Sequence, residues 1–317
     1  MPLVLEQSTF EGRNLLLYDS NGAILGGLQV RSNRRYLTPR MLYRYCGMIF
    51  EFPNGAEWRI FRLNANNSVG RMLRQVDHNT VNPGNYIILD QNKGALAISV
   101  TSDTAPRRLH SRSVGSSQIN RDRNLLQKNF RDRLRERDRV CAISGRHRLI
   151  KDRPYASLEA AHIFPVSRVS QWDSQNFRTF ITDTRPPSVI GASGLYSPQN
   201  GLLLTVDIHE AFDYWEVGVD PDEGYKVIDF SDDELRVGGR SLSSSAFNSP
   251  NPNDRVSPDL LRWHLRMCLL RNMKGNAGTP AWESDLGPDN MGAILNEPDA
   301  GERMEVELFT RLGPLIA

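Results

Sequence analysis

With 317 residues, 39% of them apolar and 24% charged, the chain is long enough for two or three compact units and has the balance of a globular protein, not a disordered or fibrous one. No apolar run approaches the roughly 18 residues that a membrane span needs, and three cysteines without a CxxC pair argue against a disulfide framework or a cysteine-rich zinc module. The net charge of +2 conceals an asymmetry: residues 106–140 carry 11 Lys and Arg against 4 Asp and Glu, whereas residues 141–236 carry 9 against 15. A basic stretch beside an acidic one suits a polyanion held next to a carboxylate-rich or metal-binding pocket; a solvated helix face accounts for the same charges equally well.

Along the first 105 residues, short apolar runs alternate with turn signals. Asn14 to Tyr18 and Ala23 to Val30 flank Ser20-Asn21-Gly22 and predict a hairpin. Met48 to Phe52, Glu57 to Leu63, Tyr86 to Leu89 and Ala95 to Val100 are further strand-like runs, with Val81-Asn82-Pro83-Gly84 as a turn. The expectation is a small, strand-rich α+β domain over 1–105, then a flexible basic linker over 106–119 that lacks apolar periodicity. From residue 120 the pattern changes, because Leu126, Phe130 and Leu134 recur every four residues and predict one amphipathic helix. Arg131, Arg135 and Arg139 repeat at the same interval and are candidate phosphate contacts, unless Asp132 and Glu136 simply pair with them at the surface.

Between Cys141 and Phe230 the segments CAISG, LEAAHIFP and PQNGLLLTVDIHEAFD follow one another. Leu158 to Ile163 predicts a short strand ending near His162 and stopped by Pro165. Asn200-Gly201 predicts a turn, Leu202 to Val206 a second strand, and Ile208 to Tyr214 a helix, with Asp207 and Glu210 as a capping box. Two imidazoles, His162 and His209, then converge from a strand end and a first helical turn. The excursion from Val166 to Tyr196 predicts a packed surface insertion, with a cover over the site or a substrate contact as the alternative. Pro258 to Met273 predicts a last helix that packs on the core and places His264 on an apolar face. The segment 120–275 is expected as one domain with flanking helices, and 276–317 as a C-terminal extension.

The order His162, Asn200, His209 within AAHIFP, QNGLLL and DIHEAFD resembles the HNH endonuclease superfamily. More narrowly, it resembles the subgroup with an AAHI strand and an HxxFD helix found in restriction-type nucleases and many fungal proteins. LYDSNGAILGGL, LLRWHLRMCLLRNMKG and GERMEVELFTRL resemble that fungal branch along nearly the whole chain. The resemblance implies a ββα-metal unit within an overall α+β chain and hydrolysis of phosphodiester bonds. It implies that His162 is the general base and that Asn200 orients it, and that His209 ligates one divalent ion. The expected ion is Mg2+, with Mn2+ and Zn2+ chemically admissible, and the expected partner is nucleic acid, DNA before RNA. A neutral imidazole, with an ordinary pKa of about 6.5, suits proton removal at physiological pH.

One departure stands out. Many HNH nucleases carry a carboxylate or second histidine immediately before the base, where this chain has Ala161. Asp213, four residues after His209, could ligate the ion or hold the imidazole, or be purely structural. Glu159 alternates to the strand face opposite His162 and is assigned a structural or surface role. The rival classes are a nucleic-acid-binding or regulatory protein with a decayed HNH unit, and the same pocket turned to other chemistry. No membrane association is expected. The absence of a leader-like start suggests an intracellular protein of nucleus or cytoplasm, and oligomeric state stays undetermined.

Overall fold

The computed structural model describes residues 3–8, 12–30, 36–77, 79–105, 118–147, 154–231 and 234–275, with side chains from 124 onward in the segment that opens at 118. These residues fall into two compact units, one within Met1–Ala105, Glu210–Leu242 and Leu261–Thr279, the other within Pro106–His209 and Ser243–Leu260. Both are therefore discontinuous in sequence. Most of the linker expected over 106–119, and the extension expected over 276–317, lie outside the described residues.

In the first unit, β1 (Leu15–Tyr18) and β2 (Ile24–Leu28) form the expected hairpin, with Leu15 opposite Leu28 and a register shift after Leu17. Asp19 closes its turn by accepting from the amides of Asn21 and Ala23, both at 2.8 Å. Gly22 sits at φ +83°, and a Cβ there would overlap the Val4 carbonyl, so both conformation and space require glycine. The helix α1 (Pro39–Ile49) follows, with Thr38 capping the Met41 amide and Pro39 opening the first turn.

Then come β3 (Phe50–Glu51), β4 (Trp58–Leu63), β5 (Val69–Met72), β6 (Gly84–Asp90) and β7 (Ser99–Val100). Five of the strands β1 to β7 make one sheet in the order β2-β1-β6-β4-β5, in which only β1 and β6 run parallel. The expected strands at 57–63 and 86–89 are its centre, whereas of the run at 95–100 only Ser99 and Val100 pair, with β3.

The second unit is organised around α2 (Gln118–Asp138), whose Phe130 and Leu134 are fully buried. After it come β8 (Leu158–His162), the short helices α3 (Val169–Ser174) and α4 (Pro187–Ile190), then β9 (Gly201–Thr205) and α5 (Val206–Asp213). The excursion between β8 and β9 is packed: Trp172 is buried, donates to the Ser193 carbonyl at 3.0 Å, and meets Phe164 and Phe177.

The chain then forms the hairpin β10 (Val217–Asp220) and β11 (Lys226–Asp229), α6 (Ser244–Phe247) and α7 (Pro258–Asn272). Within the first unit, Leu265, Cys268, Leu269 and Met273 share a core with α1 and the large sheet. Arg13 ties the end of α7 down by donating to the carbonyls of Asn272 and Gly275. His264 is packed as expected, fully buried and stacked on Phe212 with centroids 3.7 Å apart.

Candidate active site

Strands β8 and β9 pair antiparallel, with Leu158 opposite Thr205 and His162 opposite Gly201, and α5 begins directly after β9. Strand, strand and helix thus occur in the expected order. The helix begins two residues earlier than the capping box predicts. Asp207 consequently lies inside the first turn, where its carboxylate accepts from the Ile208 amide at 2.9 Å.

His162 ends β8 and is half-buried. Its ring stacks on Phe130 of α2, with centroids 4.0 Å apart and planes 11° apart, and meets the edge of Tyr196 at 5.7 Å and 84°. Two rigid aromatic neighbours therefore define the plane of the imidazole. Phe130 can approach this closely because the residue paired with His162 across the strands is Gly201: a Cβ there would overlap Phe130 Cζ and lie 2.9 Å from Leu134 Cδ1. Gly201 has an extended φ of −153°, so its requirement is for space alone.

Asn200 is fully buried immediately before β9. Its Oδ1 accepts from the Phe164 amide at 2.8 Å, while Nδ2 donates to the carbonyls of Phe164 and Leu195, both at 3.0 Å. The Asn200 carbonyl accepts from the Ile163 amide at 2.9 Å. One side chain thus clamps both peptide groups of the residue two beyond His162 and ties them to the segment entering β9. An apolar residue in its place would leave interior backbone groups without partners.

The inward face of α2 carries two arginines that the i, i+4 pattern of Arg131, Arg135 and Arg139 obscures. Arg137, only 2% exposed, forms a bidentate pair with Asp138 and donates to the carbonyls of Pro198, Gly201 and Asp254. Asp138 also accepts from the Leu203 amide at 3.0 Å, which fixes β9 against the end of α2. Arg133 donates to the Tyr196 carbonyl at 2.9 Å and lies 3.7 Å from the buried Asp183. Burial, and the neighbouring Arg185 guanidinium after it, lower the Arg133 pKa. Asp183 in turn accepts from Ser197 Oγ at 2.7 Å, so the segment that carries Tyr196 and Asn200 is tied to α2 at several points.

Of the three arginines predicted to contact phosphate, Arg131 and Arg135 lie on α2, 42% and 27% exposed, within 4 Å of Asp132. Arg135 also covers the Tyr155 ring at 4.8 Å. Arg139 lies past the helix end, exposed and at φ +61°, so a strict helical stripe stops at Arg135.

His209, half-buried in α5, meets Glu159: Nδ1 and Oε2 are 2.7 Å apart. Asp213 ends the same helix. The strand alternation that assigns Glu159 to the face opposite His162 hides this contact, because the partner belongs to α5 and not to the strand. Among the described residues no three or more His, Cys, Asp or Glu side chains gather into a metal cage. His209, with its ring held by Glu159, fits a different kind of site, a hydrated divalent ion held by few protein groups and completed by water and phosphate oxygens. With Nδ1 taken by a carboxylate, ligation by His209 would run through Nε2. Cys141, buried and free at the opening of this segment, accepts from the Ser144 amide at 3.4 Å and behaves as a core residue.

Residues 141–220 match a family model described as HNH endonuclease. The match covers β8, β9, α5 and the three residues His162, Asn200 and His209. It supports the HNH superfamily for this segment and points to hydrolysis of nucleic acid. No curated protein and no solved structure matches the chain significantly. Among the described residues no helix is long and apolar enough to cross a membrane.

Proposed function

We propose that the chain is a metal-dependent endonuclease that hydrolyses phosphodiester bonds of nucleic acid, with DNA as the favoured substrate and a ββα-metal unit at its centre. The observation that carries this reading is the family match over 141–220 coinciding with paired strands and a following helix that present His162 and His209. His162 takes the proton from the water that attacks phosphorus. Its stack on Phe130 and contact with Tyr196 hold the ring ready, so little orientational entropy is lost in the transition state. Asn200 is a positioning residue that acts through the Phe164 backbone. His209, with Asp213 four residues on, would hold one divalent ion, Mg2+ before Mn2+ or Zn2+. When bound, such an ion supplies charge neutralisation at the phosphate and at the leaving 3′-oxygen. Arg131, Arg135 and Arg139 supply phosphate contacts from the basic segment.

The test is nicking of supercoiled plasmid by the purified full chain with Mg2+, Mn2+, Zn2+ or EDTA, beside His162→Ala. Metal-dependent nicking that the variant lacks supports the assignment; full activity in His162→Ala overturns it. The second reading is a nucleic-acid-binding protein whose HNH unit no longer cuts. Ala161 in the usual ligand position, and the absence of a three-donor group among the described residues, favour it. Binding of DNA or RNA without cleavage under any of these ions would select that reading.

A further inference from the structure

The donor that the position before His162 lacks has a counterpart on the same strand. Successive strand side chains alternate faces, so Glu159 and Ala161 share one face of β8 and His162 lies on the other, about 10 Å along the strand from Glu159. Ala161 is fully buried and offers no donor atom. Glu159 does, and its carboxylate meets His209 Nδ1 at 2.7 Å. The Glu159 side chain is 51% exposed and the His209 side chain 18% exposed. An ion pair so open to water contributes about 0–1 kcal/mol at most, so stabilising the fold is a small part of what the contact does. What it does fix is orientation. A carboxylate accepting from Nδ1–H leaves the imidazole lone pair on Nε2, the arrangement in which metal-ligating histidines are commonly held.

We infer that Glu159 is the positioning residue of the metal site, holding His209 in the Nδ1–H tautomer so that Nε2 faces a divalent ion. This inference rests on the endonuclease reading above. It adds a residue that neither the motif nor the strand alternation selects.

Two measurements on the full chain test it. In metal-free protein in alkaline buffer, nitrogen-15 spectra of the histidine rings report the tautomer of His209, assigned by its loss in His209→Ala. The wild type should show a single Nδ1–H form, Glu159→Ala a mixture of tautomers, and Glu159→Gln, whose amide oxygen still accepts, a largely retained Nδ1–H form. Calorimetric titration with Mn2+ should show binding about 10- to 100-fold weaker in Glu159→Ala and an intermediate loss in Glu159→Gln. Glu210→Gln, which alters an exposed carboxylate on α5, should match the wild type in both. Because Glu159 is half-exposed, its variants should fold, and unchanged circular dichroism verifies that. If Glu159→Ala keeps the wild-type tautomer and Mn2+ affinity while His209→Ala loses binding, the inference is overturned and the endonuclease reading survives. If the wild type binds no divalent ion, or His209→Ala binds as well as the wild type, the metal assignment and this inference fall together.

Discussion

Replacing Asn200 by alanine removes the clamp between the end of β8 and the start of β9, and the structure sets the cost. Three hydrogen bonds disappear: those from the Phe164 amide, and those to the Phe164 and Leu195 carbonyls. Phe164 is fully buried and Leu195 is 1% exposed, so the deserted backbone groups do not find bulk water readily. At about 1–1.5 kcal/mol for each group left without its partner, the total is about 3–5 kcal/mol. That is a large share of the stability of an ordinary domain. Urea unfolding followed by circular dichroism gives the loss, and hydrogen exchange at the Phe164 amide localises it, because that proton loses its acceptor. Nicking activity should fall with it, since the end of β8 carries His162. His162→Ala is the informative contrast: it removes an aromatic stack worth about 1 kcal/mol and should abolish cleavage with a much smaller loss of stability. A loss below about 1 kcal/mol in Asn200→Ala, with Phe164 still protected, would refute the assignment of Asn200 as the brace.

Three further outcomes are expected. Gly201→Ala forces a methyl group into Phe130 and Leu134 and should cost about 1–3 kcal/mol; Phe130→Leu in the same chain should recover part of it, which a thermal double-mutant cycle measures. Asp222 titrates below its ordinary value of 3.8, chiefly because Arg262 hydrogen-bonds its carboxylate. A depressed carboxyl adds stability above its unfolded pKa and loses it as pH falls through the lower folded value. Arg262→Met should therefore move the Asp222 carboxyl titration upward in carbon-13 spectra and flatten the acid-side stability profile. Arg131→Ala and Arg135→Ala should each weaken DNA binding across sequences and lower the slope of log affinity against log salt by about 0.9, read by fluorescence anisotropy; an unchanged slope in both would remove α2 from the phosphate contacts.

Local patterns carried much of this protein in advance. Asn-Gly punctuation and apolar alternation predict the β1–β2 hairpin and the central strands of the sheet, because turn chemistry and pleat periodicity act over a few residues. The four-residue recurrence of Leu126, Phe130 and Leu134 predicts α2 for the same reason. His162, Asn200 and His209 are legible as polar residues embedded in fixed apolar contexts. The helix α1 escapes that reading, although Thr38-Pro39 is a helix-start signal, because its apolar content resembles the strands around it.

Other features belong to the tertiary structure alone. Arg133 and Arg137 share the charge of Arg131 and Arg135, yet their burial follows from which side of α2 meets the segment around Tyr196 and Asn200. The grouping of Glu210–Leu242 and Leu261–Thr279 with the first 105 residues depends on where apolar surface is buried, which no local window contains. Glu159 shows the same limit most sharply. Its strand predicts which face it occupies, but its partner, His209, lies 50 residues away on α5, and only the antiparallel pairing of β8 with β9 brings that helix to it. Short-range rules determine the elements and the residue types that chemistry requires; contacts across long stretches of chain decide which of those residues meet.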